Sequence, residues 1–461
     1  MRLFIRLLKA VAGLAVLAVA GLFAWLYAAP PELIRVGSGY AAKIVCSNVF
    51  IAGRDPDEVL EVDVQAPGHP LLKLMRVSVD RDAKTVKAGL LGVLGQSTAI
   101  ARDGLGCASV PDGDLEQARA VQLSQEPVAS SPSEASWPAG ERTGPFLPEI
   151  AAIVGDDDLA GPGLRAIVVV QDGKIVAERY GAGFSEKTPL LGWSMSKTVN
   201  AAIIGTLIRE GRMRVDASRL FPGWGGDGRA DITIADLMAM SSGLVFNEDY
   251  GAVADVTRML YLEPDMAGFA ATKELGGPVG EAFSYSSGTS VLLSRLWQQA
   301  LDDPQQALQW PRRALFGPLG MSSAVIEADA RGTFVGSSYI YATARDWARF
   351  GQFLLDDGVW NGERILPAGF VSWMREPAPA SNGVYGRGQM WLEAPGGNGS
   401  RMGVPADTFW LKGHDGQTIA VIPSRRMVVV RMGLTPRAAG YGSELLVAAL
   451  ATALTTAGGV Q

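Results

Sequence analysis

The chain is 461 residues long, which exceeds an average domain and is comfortable for two. Hydrophobic residues make up 48% and charged residues 19%, so the composition supplies a packed core and excludes global disorder. With 41 basic and 47 acidic residues the formal net charge is −6. This balance argues against a nucleic-acid partner, because no basic excess is available to neutralise phosphates.

The N-terminus carries basic residues followed by a long apolar run. After Arg2, Arg6 and Lys9, residues 10–29 contain no charge, and this is the length of helix that crosses a hydrocarbon core of ~30 Å. The basic flank should stay in the cytoplasm and direct the rest of the chain outward. We therefore expect residues 1–29 to form a signal anchor in the lipid bilayer of the inner membrane, with the body of the protein in the periplasm or extracytoplasmic space.

A cleaved signal peptide is the alternative to an anchor. Its apolar region is usually shorter, and a cleavage site needs small residues. Leu26 and Tyr27 stand at these positions before Pro30. Both alternatives export the body of the protein.

Residues 30–124 are expected to form a small mixed N-terminal domain. The segments DEVLEVDV and LMRVSVDRDAKTVKAGLLG alternate like strands, the second around an RDAK turn. The only two cysteines of the chain, Cys46 and Cys107, both fall in this domain. Two cysteines in one small exported domain most simply form a disulfide, and two buried free thiols are the alternative.

A linker is predicted at residues 125–149, which are rich in Pro, Ser and Gly and show no periodicity. The remaining residues, 150–461, are expected to form a second domain. This domain opens with two apolar strands on either side of Asp172 and Gly173, a pair that is typical of a two-residue hairpin turn.

Helical patterns fill the middle of this second domain. In ITIADLMAMSSGL, Thr233 and Asp236 have the spacing of a capping box, and Gly243 is expected to end the helix. Three strand patterns follow near the C-terminus, DTFWLKG, QTIAVIP and MVVVRMG, and the apolar helix SELLVAALATAL closes the chain. Strands at both ends with helices between them predict an α+β fold in which the terminal segments pair into one antiparallel sheet.

The segment LLGWSMSKTVNAAIIGTLIREG places Ser194 and Lys197 three residues apart at the start of an apolar helix. Residues with this spacing share a helix face. A serine hydroxyl is a poor nucleophile until a base takes its proton. The helix dipole and partial burial both lower the pKa of a lysine from its usual ~10.4. A neutral Lys197 can therefore accept the proton of Ser194, although the same spacing also arises by chance in long sequences.

Other arrangements of hydrolytic residues fit the sequence less well. Histidine is the usual base for serine, but the chain has only His69 and His414. The nucleophile elbow of α/β-hydrolases is not met, because Ser196 stands where its second glycine is required. Two distant histidines and two cysteines do not build an ordinary metal site, so we expect neither a metal nor another cofactor.

Two further motifs accompany the serine–lysine pair. The segment GEAFSYSSGTS supplies Tyr285 and Ser287, and LKGHDGQTIAV supplies His414 and Gly416 directly before a strand. Enzymes that acylate a serine beside a lysine need a nucleophile pair, then a loop with a proton-shuttling group, then a strand edge that helps to form an oxyanion hole. Taken singly, Tyr285 is more often a packed aromatic residue and His414 a surface histidine.

Taken together, these motifs resemble a known family. With SMSK, YSS and GHDG, and with the stretches LMAMSSGL and FGQFLLDDGVWNGERIL, residues 150–461 are similar to serine hydrolases related to class C β-lactamases. These include penicillin-binding-protein-like esterases and 6-aminohexanoate-dimer hydrolases. The segment MSSGLVFNEDY, followed by FSYSSGTS, resembles the second of these two branches more than the first. The resemblance implies an antiparallel sheet flanked by helices, a helical subdomain, and a small ester, amide or peptide-like substrate.

The resemblance also implies roles for individual residues. Ser194 would be the acylated nucleophile and Lys197 its proton partner. Tyr285 would pass the proton to the leaving group. The backbone amides of Ser194 and Gln417 would form the oxyanion hole.

Substrate-binding residues depart from the β-lactamase pattern at two positions. His414 and Gly416 would line the substrate strand, but His414 stands where β-lactamases carry lysine, and Ser287 stands where they carry asparagine. A histidine is mostly uncharged near neutral pH, so a substrate carboxylate is not required. The expected activity is hydrolysis of an ester or amide. A D-alanyl-D-alanine carboxypeptidase, a β-lactamase and a non-catalytic sensor that binds peptidoglycan or β-lactam are the alternatives.

Overall fold

A computed structural model describes residues 1–124 and 134–457 of the chain, which divides into two compact units. The first unit combines Met1–Ala101, Cys107–Arg119 and Asp249–Pro264, and the second unit contains the other residues. Residues 125–133 of the predicted linker lie outside the described residues. The predicted domain limits therefore stay a prediction.

Helices occur throughout the described residues, separated by strands and irregular segments of varied length. The α-helices are, in chain order, α1 (Arg2–Ala28), α2 (Glu32–Phe50), α3 (Pro56–Val59), α4 (Leu115–Ala120), α5 (Pro148–Gly155), α6 (Asp157–Ala160), α7 (Ser196–Arg209), α8 (Ile234–Met238), α9 (Asp255–Leu262), α10 (Met266–Ala271), α11 (Ser287–Gln299), α12 (Pro304–Pro311), α13 (Ala344–Leu355), α14 (Phe370–Arg375) and α15 (Glu444–Ala457).

The strands form one sheet in the first unit and several sheets in the second. In chain order they are β1 (Met75–Asp80), β2 (Thr85–Leu90), β3 (Leu94–Arg102), β4 (Gly106–Ser109), β5 (Leu164–Gln171), β6 (Lys174–Tyr180), β7 (Leu190–Leu191), β8 (Val325–Ile326), β9 (Ile340–Ala342), β10 (Val359–Trp360), β11 (Glu363–Arg364), β12 (Phe409–Gly413), β13 (Gln417–Ile422) and β14 (Met427–Gly433).

Helix α1 contains the apolar run of the N-terminus. Its segment Phe4–Ala28 is long and apolar enough to cross a membrane, and none of its residues is buried. These properties are those of a spanning helix, and a signal sequence near the N-terminus meets the same criteria.

The rest of the first unit packs helices on a four-stranded sheet of order β1-β2-β3-β4. The predicted hairpin around RDAK is present as the antiparallel pair β1 and β2. Helix α2 packs on β2 and on α9. Cys46 of α2 and Cys107 of β4 are buried and joined by a disulfide, with their Cα atoms 6.1 Å apart.

The prediction that DEVLEVDV forms a strand is wrong. The segment forms α3, which continues as a π-helical turn over Leu60–Gln65. The Asp55 side chain caps the helix by accepting hydrogen bonds from the amides two and three residues further on, and Pro56 occupies the first helical position. This combination of an aspartate cap and a following proline is a helix-start signal, and it outweighs the short apolar alternation.

The main sheet of the second unit is antiparallel and has the order β12-β13-β14-β5-β6. It joins the three C-terminal strands to the N-terminal hairpin, so the expected α+β class with paired ends is confirmed. Asp172 and Gly173 close the hairpin with φ of +48° and +72°, the left-handed pair that a two-residue turn requires. Helices α5 and α15 cover one face of the sheet, and α13 covers the other.

Helix α8 begins as predicted and ends earlier. Thr233 and Asp236 form the expected capping box. The helix stops at Met238, five residues before Gly243. Its end is made by Met240 in the left-handed region, at φ of +57°, with the Ser241 amide donating back to the carbonyl of Asp236. This helix ending is one that glycine usually provides, so the sequence pointed to the wrong residue.

Candidate active site

Ser194 lies in a short 3₁₀ turn, Trp193–Met195, directly before α7. The side chain of Ser194 is partly exposed while both its neighbours are buried. Trp193 has φ of +48°, a left-handed conformation that a bulky residue adopts only when the surroundings impose it. A Cβ on Gly192 would lie 2.3 Å from the Trp347 ring, so this turn is held tightly in place.

Lys197 is fully buried in the first turn of α7 and donates to three oxygen atoms. Its Nζ lies 3.2 Å from Ser194 Oγ, 3.0 Å from Ser287 Oγ and 2.9 Å from the Ser337 carbonyl oxygen. The Ser337 carbonyl can only accept, and the hydroxyl of Ser287 is donated to Glu248. Ser194 is therefore the partner whose hydroxyl can donate to the lone pair of a neutral Lys197.

The surroundings of Lys197 favour that neutral form. Burial lowers the pKa of Lys197 to about 8, and the negative charge of Glu248 acts in the opposite direction. At neutral pH about a tenth of such lysines are unprotonated, against less than a thousandth at the usual pKa of ~10.4. Lys197 therefore lies within hydrogen-bond distance of Ser194 Oγ and has a lowered pKa, two properties that a base for this hydroxyl would need.

Tyr285 lies against both members of this pair. Its phenol is close enough to Ser194 for the two side chains to interact, and the centroid of its ring lies 4.8 Å from Lys197 Nζ. The ring also packs against Trp391 and Tyr385, at centroid distances of 5.3 and 5.9 Å. Burial raises the pKa of Tyr285 above its usual value, and the interaction with Ser194 acts against this shift. The phenol therefore stays protonated near neutral pH.

Glu248 is a site residue that sequence reasoning missed. Its carboxylate accepts the amide of Ser287 at 2.7 Å and the hydroxyl of Ser287 at 2.5 Å. Ser287 is the first residue of α11, and a carboxylate is favourable at a helix N-terminus. Glu248 lies within MSSGLVFNEDY, but 39 residues separate it from Ser287, so no local spacing reveals the contact.

His414 and Gly416 lie in the turn between β12 and β13. The His414 side chain is 48% exposed, with its Nε2 3.4 Å from Asp415 Oδ1. Its ring packs edge-on against Trp193, at a centroid distance of 5.6 Å. The carbonyl oxygen of Gly416 accepts a hydrogen bond from the buried Arg431 at 3.1 Å. The histidine is thus next to the residue that precedes Ser194.

The end of β12 reaches the same turn. A Cβ on Gly413 would lie 2.2 Å from the carbonyl oxygen of Gly192, so only glycine allows this approach. Gly413 pairs with Gln417, the first residue of β13. The Gln417 side chain donates a hydrogen bond to the carbonyl oxygen of Gly433, at 2.5 Å. An oxyanion role for Gln417 would therefore depend on its backbone amide.

The structure brings four of the predicted residues into one cluster: Ser194, Lys197, Tyr285 and Ser287. His414 is next to this cluster, because its ring packs against Trp193, the residue before Ser194. Over residues 1–124 and 134–457, no group of three or more His, Cys, Asp or Glu side chains could hold a metal ion. The arrangement is able to activate a serine hydroxyl and to hold a proton donor beside it.

Comparisons with known proteins identify the family. The family model described as Beta-lactamase matches residues 156–451, which is more than half of the chain. Over 284 residues the chain is 27% identical to a 6-aminohexanoate-dimer hydrolase of Paenarthrobacter ureafaciens, covering 56% of this chain and 71% of that relative.

Solved structures share the fold. A Bacillus anthracis protein provisionally named a 6-aminohexanoate-dimer hydrolase superimposes with a TM-score of 0.52 at 22% identity, over 64% of this chain and 78% of that one. A penicillin-binding protein homologue from Caulobacter crescentus gives a TM-score of 0.51 at 17% identity, over 68% and 99%. The resemblance seen in the motifs is confirmed: the chain belongs to the Beta-lactamase family and is a serine hydrolase with the fold of that family.

Proposed function

We propose that this serine hydrolase cleaves a small ester or amide through an acyl-enzyme on Ser194, outside the cytoplasm and anchored to a membrane. The contact of the buried Lys197 Nζ with Ser194 Oγ at 3.2 Å supports this proposal most directly. The other two contacts of Lys197 hold its nitrogen in place when it is neutral, which leaves the lone pair for the proton of Ser194.

Acylation begins when Ser194 Oγ attacks the substrate carbonyl carbon and its proton passes to Lys197 Nζ. The carbonyl oxygen becomes an oxyanion, which the backbone amides of Ser194 and Gln417 bind. The carbon–oxygen or carbon–nitrogen bond of the substrate then breaks. The leaving group takes a proton, and the acyl group stays on Ser194.

Tyr285 carries that proton. Tyr285 interacts with Ser194 and its ring contacts Lys197, which suits it to pass a proton from the protonated base to the departing group. Because its pKa is raised, the phenol relays a proton by donating its own and taking one from Lys197. In deacylation a water molecule loses its proton to the same base and bonds to the acyl carbon. The bond between that carbon and Ser194 Oγ then breaks, Ser194 takes the proton back from Lys197, and the acid is released.

The contacts of Ser287 favour esters and linear amides over β-lactams. Its hydroxyl is held between Lys197 and Glu248, so it is not available to a substrate amide as the asparagine of β-lactamases is. His414 supplies no permanent cation for a lactam carboxylate. The similarity to a 6-aminohexanoate-dimer hydrolase, whose name refers to a linear amide, also supports this choice.

A comparison of two chromogenic substrates tests this preference. We expect kcat/KM for p-nitrophenyl acetate to exceed that for nitrocefin. His414→Lys adds a cation without changing the contacts of Ser287, so it should raise nitrocefin turnover relative to the ester. A wild-type preference for nitrocefin would refute the proposed substrate class.

Extracytoplasmic location has two independent supports. Helix α1 is able to span a bilayer and follows a basic flank. The bonded pair Cys46 and Cys107 suits an oxidising compartment, because thiols stay reduced in the cytoplasm.

Active-site labelling tests the nucleophile. A fluorophosphonate probe should modify the peptide that contains Ser194, and Ser194→Ala should abolish both labelling and hydrolysis. Ser196→Ala is the matched control, since Ser196 Oγ is buried and has no hydrogen-bond partner; it should keep both. Labelling of Ser194→Ala at the wild-type level would show that another residue is the nucleophile.

A further inference from the structure

Hydrophobic side chains project from the turn that joins β2 and β3 in the first unit. Leu91 and Val93 are 55% and 47% exposed. Leu74, whose carbonyl accepts the amide of Leu91, is 46% exposed. We name Leu74, Leu91 and Val93 the apolar tip. The turn contains the glycine that hairpin turns favour, Gly92 at φ of +82°, but Leu91 and Val93 stand on either side of it where polar residues are usual. Exposed apolar residues grouped in this way indicate a surface that is covered by a partner.

The backbone of the apolar tip adds to this unusual composition. Leu91 has φ of +53°, in the left-handed region that costs an apolar side chain of this size conformational energy. A smaller polar residue would form the same turn more easily.

The apolar tip lies beside the end of the candidate membrane helix. A Cβ on Gly95, two residues after Val93, would lie 2.7 Å from Ile34 Cγ2 and 3.1 Å from Pro30 Cβ. Pro30 follows α1, which ends at Ala28. Because these residues are continuous in the chain, the turn is close to the point at which α1 would leave a bilayer.

The charges around the apolar tip are all positive along the chain. Residues 64–79 and 83–102, which supply the tip, contain no Asp or Glu. Lys73 and Arg76 are exposed on either side of Leu74. Exposed apolar side chains next to lysine and arginine are the combination that binds at the boundary between phospholipid head groups and acyl chains.

We propose that the apolar tip inserts into the extracytoplasmic leaflet of the bilayer that α1 spans. Leu74, Leu91 and Val93 enter the acyl boundary, and Lys73 and Arg76 contact lipid phosphates. The inference rests on the membrane anchoring of the proposed function, and it adds a second attachment. With two attachments the first unit is oriented on the membrane instead of swinging from the residues that follow α1.

Site-specific fluorescence on the full-length protein tests the inference. The native cysteines are both in the disulfide, so a new cysteine is labelled selectively without reductant. The protein is reconstituted into vesicles of neutral and anionic phospholipid, with NBD attached to Val93→Cys. We expect a blue shift and quenching by lipids that carry a nitroxide near the head group.

Matched positions separate docking from anchoring. Asp82→Cys lies in the turn between β1 and β2, at the other end of these strands from the apolar tip. The two turns are about 20 Å apart along a six-residue strand, so a label at Asp82 should be quenched several-fold less than one at Val93. Val16→Cys, in the middle of α1, should be quenched by lipids with a deep nitroxide. Lys73→Glu/Arg76→Glu should reduce quenching at Val93 by at least about twofold.

Each outcome decides the question. Equal quenching at Val93 and Asp82 overturns the docking inference, and quenching at Val16 in the same sample leaves the anchor standing. No quenching at Val16 shows that the anchor is wrong as well. A blue shift at Val93 without quenching by lipid means that another protein surface covers the apolar tip, and this also overturns the inference.

Discussion

At the scale of single residues, the proposed chemistry depends on Lys197, whose contacts hold its nitrogen in place in both protonation states. The Ser337 carbonyl and the Ser287 hydroxyl both accept from Lys197 Nζ, so two of its N–H groups are held whether or not it carries a third proton. Loss of that third proton therefore changes the contact with Ser194 and little else. The pH dependence of the reaction should report this event.

We expect kcat/KM for a small ester to rise with pH and to level off above an apparent pKa of about 8. In the proposed mechanism the neutral lysine is the active form, and its fraction increases as pH passes through the pKa of Lys197, which burial lowers to about 8. Lys197→Arg should lose at least about a hundredfold, because a guanidinium stays protonated. Rates measured between about pH 6 and about pH 10 check this, and a flat profile would contradict it.

Glu248→Gln should move that pH profile toward lower pH. The carboxylate of Glu248 raises the pKa of Lys197 against the effect of burial, so removing its charge lowers the midpoint, by up to about one pH unit. The plateau should also fall, since Ser287 loses an ionic acceptor. Asp249→Asn, which neutralises the adjacent exposed carboxylate, is the control and should leave the midpoint in place. A midpoint that stays fixed or moves upward in Glu248→Gln would exclude this role.

At the scale of secondary-structure elements, the Ser194 turn is held from two sides. Helix α13 contributes Trp347, which packs where a side chain on Gly192 would be. Strand β12 brings Gly413 against the carbonyl of Gly192. Two glycines therefore let a helix and a strand approach the backbone next to Ser194, the proposed nucleophile, and the position of Ser194 depends on both.

Gly413→Ala should push β12 away from this turn. The new Cβ would lie 2.2 Å from a backbone oxygen, which cannot move as a flexible side chain can. We expect a loss of about 1–3 kcal/mol in the free energy of unfolding and at least a tenfold fall in kcat/KM. Thermal unfolding and ester hydrolysis measure the two effects. Gly226→Ala, where a Cβ has no neighbour within 4 Å, should be close to wild type; similar behaviour of the two variants would contradict the argument.

Elements with strong local signals were predictable, and those with competing signals were not. Asp172 and Gly173 specify a hairpin by themselves, because few other residues tolerate its turn. DEVLEVDV supports both a strand and a short helix, and the cap at Asp55 decides for the helix. The end of α8 was misplaced because Met240 takes the left-handed position that glycine usually fills.

At the scale of the whole molecule, the location of the protein depends on whether α1 is retained. We expect the native host to keep residues 1–29 and to hold the protein in the membrane fraction after carbonate washing. The physical reason is the length of the apolar helix and the bulky residues where a protease requires small ones. N-terminal sequencing and fractionation measure this.

An engineered cleavage site supplies the control for this prediction. Leu26→Ala creates an Ala-Tyr-Ala segment in front of Ala29 and should release part of the protein from the membrane. A wild-type N-terminus found near Pro30 would show that α1 is a cleaved signal peptide.

The sequence alone determined the parts of this protein that local patterns encode. The apolar strands at both ends of residues 150–461 indicated one antiparallel sheet, because each segment exposes backbone groups that only another strand can pair. The three motifs around Ser194, Tyr285 and His414 pointed to the family, because their residue types and order are specific to its chemistry.

Only the tertiary structure decided how these motifs meet. Glu248 and the Ser337 carbonyl come to the site from distant parts of the chain. A backbone carbonyl has no residue identity that a sequence could display, and a contact between distant residues leaves no periodic pattern. The lowered pKa of Lys197 likewise arises from burial, which is a property of the packed fold and not of any local segment.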